Sequence, residues 1–143
     1  MTGTRQMDTA PAGRRGGSRA HTALGRYGED VAARWLQARG HEVVARNWRG
    51  PAGELDLVTR HAGWWVAVEV KTRSGTGFGD PLEAVTPAKL RRLHRLMAAW
   101  MHEHASPIGL GVRARDPWRV DAVAVLVPRG GGVRVDHVQD VRP

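Results

Sequence analysis

The chain contains no cysteine among its 143 residues, which removes disulfides and every thiolate-based zinc site and agrees with a reducing cytoplasm. It also lacks a long apolar run. Val120 to Val127 is the longest, too short to span a bilayer and interrupted by Asp121. The arginines near the N-terminus are followed by no apolar segment, so no secretory signal is expected. No internal repeat is present, no Walker or dinucleotide fingerprint, and no triad context around Ser18, Ser74 or Ser106. What these absences leave is one cytoplasmic domain with a modest core and no membrane partner.

Charge is abundant and of one prevailing sign. The formal net charge is +8, of which residues 1–20 carry +3 and the remainder +5. A basic folded part points to a polyanion, with nucleic acid ahead of an acidic membrane surface. Residues 1–20 combine Gly, Thr, Ala and Arg without apolar periodicity and read as a flexible basic tail, leaving 21–143 as the domain.

Within that domain Leu24, Val31, Ala32, Trp35 and Leu36 recur at helical spacing before Gly40. Three strand-like runs follow: His41–Trp48, Gly53–Arg60 and Trp64–Arg73. Ala62-Gly63 supplies a tight turn between the last two. A glycine-rich loop, Ser74 to Pro81, leads to a second helix with Thr86 as N-cap and Pro87 at its first position. Leu90, Leu93, Leu96, Met97, Trp100 and Met101 form its buried face, while Lys89, Arg91, Arg92 and Arg95 decorate the rest. Trp118–Val127 and Val133–Val141 complete the order αβββαββ, a mixed sheet flanked by helices in the α/β class.

The third strand carries the chemistry. Trp64, Val66, Val68 and Val70 share one face, and Glu69 and Lys71 the other, roughly 6–7 Å apart at Cα. On the second strand Leu55 and Leu57 point one way and Glu54 and Asp56 the other. If Ala62-Gly63 is the turn, His61 pairs with Trp64 and Asp56 lies opposite Glu69. Two facing carboxylates repel, and burial makes the repulsion worse. One lysine offsets part of this, and a hard divalent cation would offset the rest. Glu29 lies on the shoulder of the first helix's apolar stripe. From there it reaches the sheet or remains an exposed helix glutamate; spacing leaves both open.

A cluster of this composition suits phosphodiester hydrolysis with Mg²⁺ or Mn²⁺, which acidify a bound water and screen transition-state charge. Lys71 would orient or deprotonate the attacking water or stabilise the anionic transition state. The carbonyl of Val70 is a further ligand candidate, and Lys89, Arg91, Arg92 and Arg95 would hold flanking phosphates. Amides of the loop containing Gly75, Gly77 and Gly79 could do the same. The plainer alternatives are an exposed Glu69–Lys71 ion pair, a solvated helix face and a simple connecting loop. Asp121 reads as a structural hydrogen-bonding group, and the tryptophans as packing, with Trp48 between Arg46 and Arg49 as a stacking candidate. His102 and His104 face different directions and make a poor metal pair.

Taken together, Gly28-Glu29, Arg46-Asn47-Trp48-Arg49, Gly53-Glu54-Leu55-Asp56-Leu57, Val68-Glu69-Val70-Lys71-Thr72-Arg73, Phe78-Gly79, Ala84-Val85, Lys89 and Arg119-Val120-Asp121 resemble the YraN-like family of small bacterial proteins. The likeness covers His21 to the C-terminus. That family is similar to the PD-(D/E)XK, or restriction-endonuclease-like, superfamily and to archaeal Holliday-junction resolvases. The resemblance implies a metal-dependent nuclease centre with its helix acid at Glu29, its strand aspartate at Asp56 and its Glu-x-Lys at Glu69 and Lys71. The ligand set would be Asp56, Glu69, Val70 and Glu29, with Arg73 joining the helix cations on nucleic acid. Leu55 stands where the superfamily has its proline, and Glu54 remains a second candidate ligand. The expectation is a Mg²⁺- or Mn²⁺-dependent endonuclease on DNA, branched or repair-related, with a homodimer suiting a symmetric junction. The alternatives are a noncatalytic nucleic-acid-binding module and an interaction protein with a structural acidic cluster.

Overall fold

The computed structural model describes residues 22–75 and 84–143. The N-terminal tail and most of the glycine-rich loop expected to cradle phosphates, including Gly77 and Gly79, lie outside the described residues. Seven elements follow in the expected order: α1 (Ala23–Gln37), β1 (Glu42–Gly50), β2 (Gly53–His61), β3 (Trp64–Ser74), α2 (Pro87–His104), β4 (Trp118–Val127) and β5 (Arg134–Val138). The Thr22 hydroxyl accepts the Gly25 N–H at 2.8 Å and starts α1. Thr86 does the same for Lys89 at 3.2 Å, with Pro87 opening α2.

The five strands form one mixed sheet in the order β1-β2-β3-β4-β5. Neighbours are antiparallel except β3 and β4, which are parallel and joined across α2. One helix covers each face. Ala32, Ala33 and Leu36 of α1 pack with Leu57, Val66, Val68, Val70, Val123 and Val125. Leu93, Leu96, Met97 and Trp100 of α2 pack with Leu55, Val58, Trp65, Ala67 and Val120 on the other. With both faces covered, β3 is buried over most of its length, which explains its near-continuous apolar composition. Among the described residues no helix is long and apolar enough to cross a membrane.

Two strands depart from expectation. Leu55 and Leu57, expected on one face, pack into the clusters on opposite faces. The cause lies across the ladder. Asn47, flanked by the pairs Arg46↔Leu57 and Trp48↔Leu55, has a φ of 51°, a left-handed conformation that asparagine tolerates better than most residues. That kink turns the hairpin over at Asp56, so Trp48 packs on the α2 side while Arg46 pairs with Asp30 of α1. The last strand is also shorter than expected. It stops at Val138 because Asp140 takes a φ of 55° and its N–H donates to Asp121.

Candidate active site

The β2–β3 turn has the register expected of an Ala62-Gly63 hairpin. His61 pairs with Trp64, and the β2–β3 ladder runs to Leu57↔Val68. There it stops, one position short of Asp56 and Glu69, while β3 continues beside β4 to Ser74. The parting strands leave the Val70 N–H without a ladder partner from β2. The Asp56 carboxylate supplies the acceptor at 2.8 Å. A notch in the sheet is therefore bridged by an acidic side chain, whose orientation is fixed by the backbone it serves.

Three further elements bring charge to this notch beside Asp56 of β2. β3 contributes Glu69 and Lys71, 8% and 6% exposed, facing the α2 side. From α2, Lys89 reaches down and pairs with Glu69 at 2.8 Å. From α1 comes Glu29, only 7% exposed, which settles its position in favour of the sheet over solvent. The Asn47 amide donates to Glu29 at 3.2 Å, so the residue that kinks β1 also orients the helix acid. Gly28 makes this approach feasible. A Cβ there would fall 1.8 Å from the Thr72 hydroxyl, and only a glycine lets α1 lie this close to β3.

The electrostatics separate the carboxylates. Burial, then the charges of Glu69 and Glu29, push Asp56 well above the ordinary carboxylate range, against the pull of the Val70 N–H and Lys89. Burial also works to raise Glu69, but Lys89 and Lys71 outweigh it and hold that carboxyl below its usual value. Without a further cation, the neighbours thus drive the two carboxyls in opposite directions, Asp56 up and Glu69 down. Burial works to lower Lys89, yet Glu69 prevails and raises it.

Other candidates fall elsewhere. Glu54 sits 4.0 Å from Arg49 in an ion pair on the hairpin. Arg91, Arg92 and Arg95 are exposed along α2, and Arg73 is half-buried at the end of β3. Lys89, grouped with those arginines from the sequence, turns inward instead. Asp121 is fully buried as a structural acceptor: Arg119, His137 and the Asp140 N–H surround it. Trp65 and Trp100 are core, and Trp48 packs against it. Among the described residues no three histidine, aspartate or glutamate side chains converge as a ready-made metal cage. The sequence reading missed Asn47 as a positioning group, although an asparagine inside a strand is itself a signal of left-handed backbone.

The fold and the site define a small α/β protein with a buried carboxylate–lysine cluster where two strands of a mixed sheet part. Comparison with known proteins gives the family. Residues 28–125 match the model described as "Uncharacterised protein family UPF0102", and the chain belongs to that family. It is 55% identical over 123 residues to a UPF0102 protein of Beutenbergia cavernae, covering 86% of this chain and 98% of the relative. A UPF0102 protein of Clavibacter michiganensis is 51% identical, covering 81% and 92%. One from Streptomyces griseus is 48% identical, covering 85% and 98%. The YraN-like resemblance read from the motifs is thereby supported.

Proposed function

We propose that this protein is a metal-dependent endonuclease acting in the cytoplasm on DNA, with branched or repair-associated structures as its preferred targets. The observation that carries the reading is the notch itself: Asp56 tied to the Val70 N–H, beside Glu69 and Lys71. Two partly or wholly buried carboxylates that cannot both ionise comfortably are a poor way to stabilise a sheet. They are a good way to hold a hard cation. The donor set fits Mg²⁺ or Mn²⁺, which take one or two carboxylates and complete their shell with water and phosphate oxygens.

Asp56 and Glu69 would hold the cation, with the Val70 carbonyl and Glu29 as supporting oxygens. When bound it supplies a lowered water pKa and positive charge at the scissile phosphate. The remaining work falls to the chain's own groups. Lys71, beside Glu69, orients the attacking water or shares the charge that develops on the phosphate. Asn47 keeps Glu29 aimed inward. Arg91, Arg92 and Arg95, with Arg73, hold flanking phosphates without reading bases. A homodimer would present two such notches to a symmetric junction.

The test is a panel of single-stranded, duplex, flap and four-way-junction substrates with Mg²⁺ or Mn²⁺. Wild type should cut at least one of them, and Asp56→Asn and Lys71→Ala should each slow cleavage on the order of 100-fold or more. Undiminished cutting by Lys71→Ala overturns the mechanism. One observation favours a second reading. Glu69 already has a cation, Lys89, at 2.8 Å, as a noncatalytic nucleic-acid-binding module retaining the fold would. Binding without cleavage of any substrate in the panel would select it.

A further inference from the structure

Only two of the 22 basic residues in this sequence are lysines, and the other twenty are arginines. Both lysines act on Glu69: Lys71 from the same strand, Lys89 from a different layer of the fold. Against so strong an arginine bias, lysine at position 89 is a choice of chemistry. Its place in α2 is also one where a cation is disfavoured. Lys89 lies in the first turn, three residues after the N-cap Thr86, and that turn holds no acidic residue. The helix macrodipole opposes positive charge there. Glu69 supplies the compensating contact at 2.8 Å.

Arginine at this place would grip Glu69 with a planar fork and lock it. An ammonium on a four-carbon stem makes a single-point contact and releases it more easily. The Lys89 side chain is also less enclosed than its partner, 24% exposed against 9%, and borders solvent. Arg92, three residues further along α2 and so on the same side of the helix, is exposed.

We propose that Lys89 is the resident counter-ion of this centre: it holds the Glu69 oxygen that an incoming divalent cation needs, and vacates it when the cation binds. The released ammonium then joins Arg92 on the phosphate-facing side. The proposal rests on the cation-dependent reading above and adds a position-specific competition to it. Lys89 is a positioning residue for the apo-protein, and its removal strengthens cation binding instead of weakening it.

The experiment measures Mn²⁺ affinity of the full chain, without nucleic acid, by electron paramagnetic resonance of free Mn²⁺. Wild type is compared with Lys89→Met, Lys89→Gln and Glu69→Gln, and each is melted in EDTA and in Mn²⁺. The two Lys89 variants should bind Mn²⁺ about tenfold tighter than wild type and gain more melting temperature from it. Lys89→Gln keeps a hydrogen-bond donor toward Glu69, so it covers the case in which Lys89→Met does not fold in EDTA. Glu69→Gln should abolish the binding. Equal or weaker Mn²⁺ binding by both Lys89 variants, still abolished by Glu69→Gln, overturns this inference and leaves the cation reading standing. Absence of any Glu69-dependent Mn²⁺ binding overturns both.

Discussion

At neutral pH the His41 imidazole is uncharged in the folded chain. Burial, then the proximity of His61 and His137, pushes its pKa from 6.5 to about 4. Its ring stacks on His61 at 4.1 Å, and Nδ1 lies 2.8 Å from the Thr59 hydroxyl. Because the folded value lies below the unfolded one, protonation favours the unfolded chain. Stability from this group is complete above pH 6.5 and drains away as pH falls toward 4. The loss should amount to roughly 1–3 kcal/mol. Denaturant melts at pH 7 and pH 4.5 should therefore show wild type losing more stability than His41→Gln over that interval. Parallel losses would remove His41 as the source. The same scale governs the notch, where burial and neighbouring charges push the Asp56 carboxyl up while Lys89 and Lys71 hold the Glu69 carboxyl down.

Between elements, the closest constraint is the approach of α1 to β3. An alanine Cβ at Gly28 would meet Thr72 at 1.8, 2.7 and 2.8 Å, so Gly28→Ala must push the helix off the strand. Overpacking of this kind costs about 1–3 kcal/mol, and here it also withdraws Glu29 from Asp56. Thermal denaturation should show the loss. Thr72→Ala removes the two side-chain atoms beyond Cβ and should restore part of it, with a coupling of at least about 0.5 kcal/mol. Strict additivity of the two substitutions would mean the clash is absorbed elsewhere. The Asn47 kink is the matching constraint on the hairpin side. It sends Leu55 and Leu57 to opposite faces and leaves Asp56 between them at the edge of the ladder.

For the molecule as a whole, the balance of +8 predicts salt-dependent affinity for nucleic acid. Arg91, Arg92 and Arg95 project from α2, the helix that also delivers Lys89 to Glu69. Neutralising the three arginines should lower the slope of log affinity against log salt for duplex DNA by about 2–3, as each lost phosphate contact removes roughly 0.9. Fluorescence anisotropy across a salt series measures this, and Mn²⁺ binding by the same variant should be unchanged. An unaltered slope would move the nucleic-acid path off α2.

Much of this architecture was legible in the sequence because local physics dictates it. Thr86-Pro87 starts α2, apolar spacing defines both buried helix faces, and Ala62-Gly63 fixes a turn whose register brings Asp56 level with Glu69. Side-chain alternation placed Glu69 and Lys71 on one face of β3. The remainder depended on contacts between residues distant in sequence. Spacing along α1 could not decide whether Glu29 faced water or the sheet. That was settled by the absence of a Cβ at Gly28 against Thr72, and by an asparagine in β1. Nor could the run Lys89–Arg95 show that its first cation points inward while its arginines point out. The sequence by itself determined the elements, the register and the charge of this protein. The tertiary structure decided which of those charges meet, because burial, helix approach and strand parting are properties of packed layers and not of any one segment.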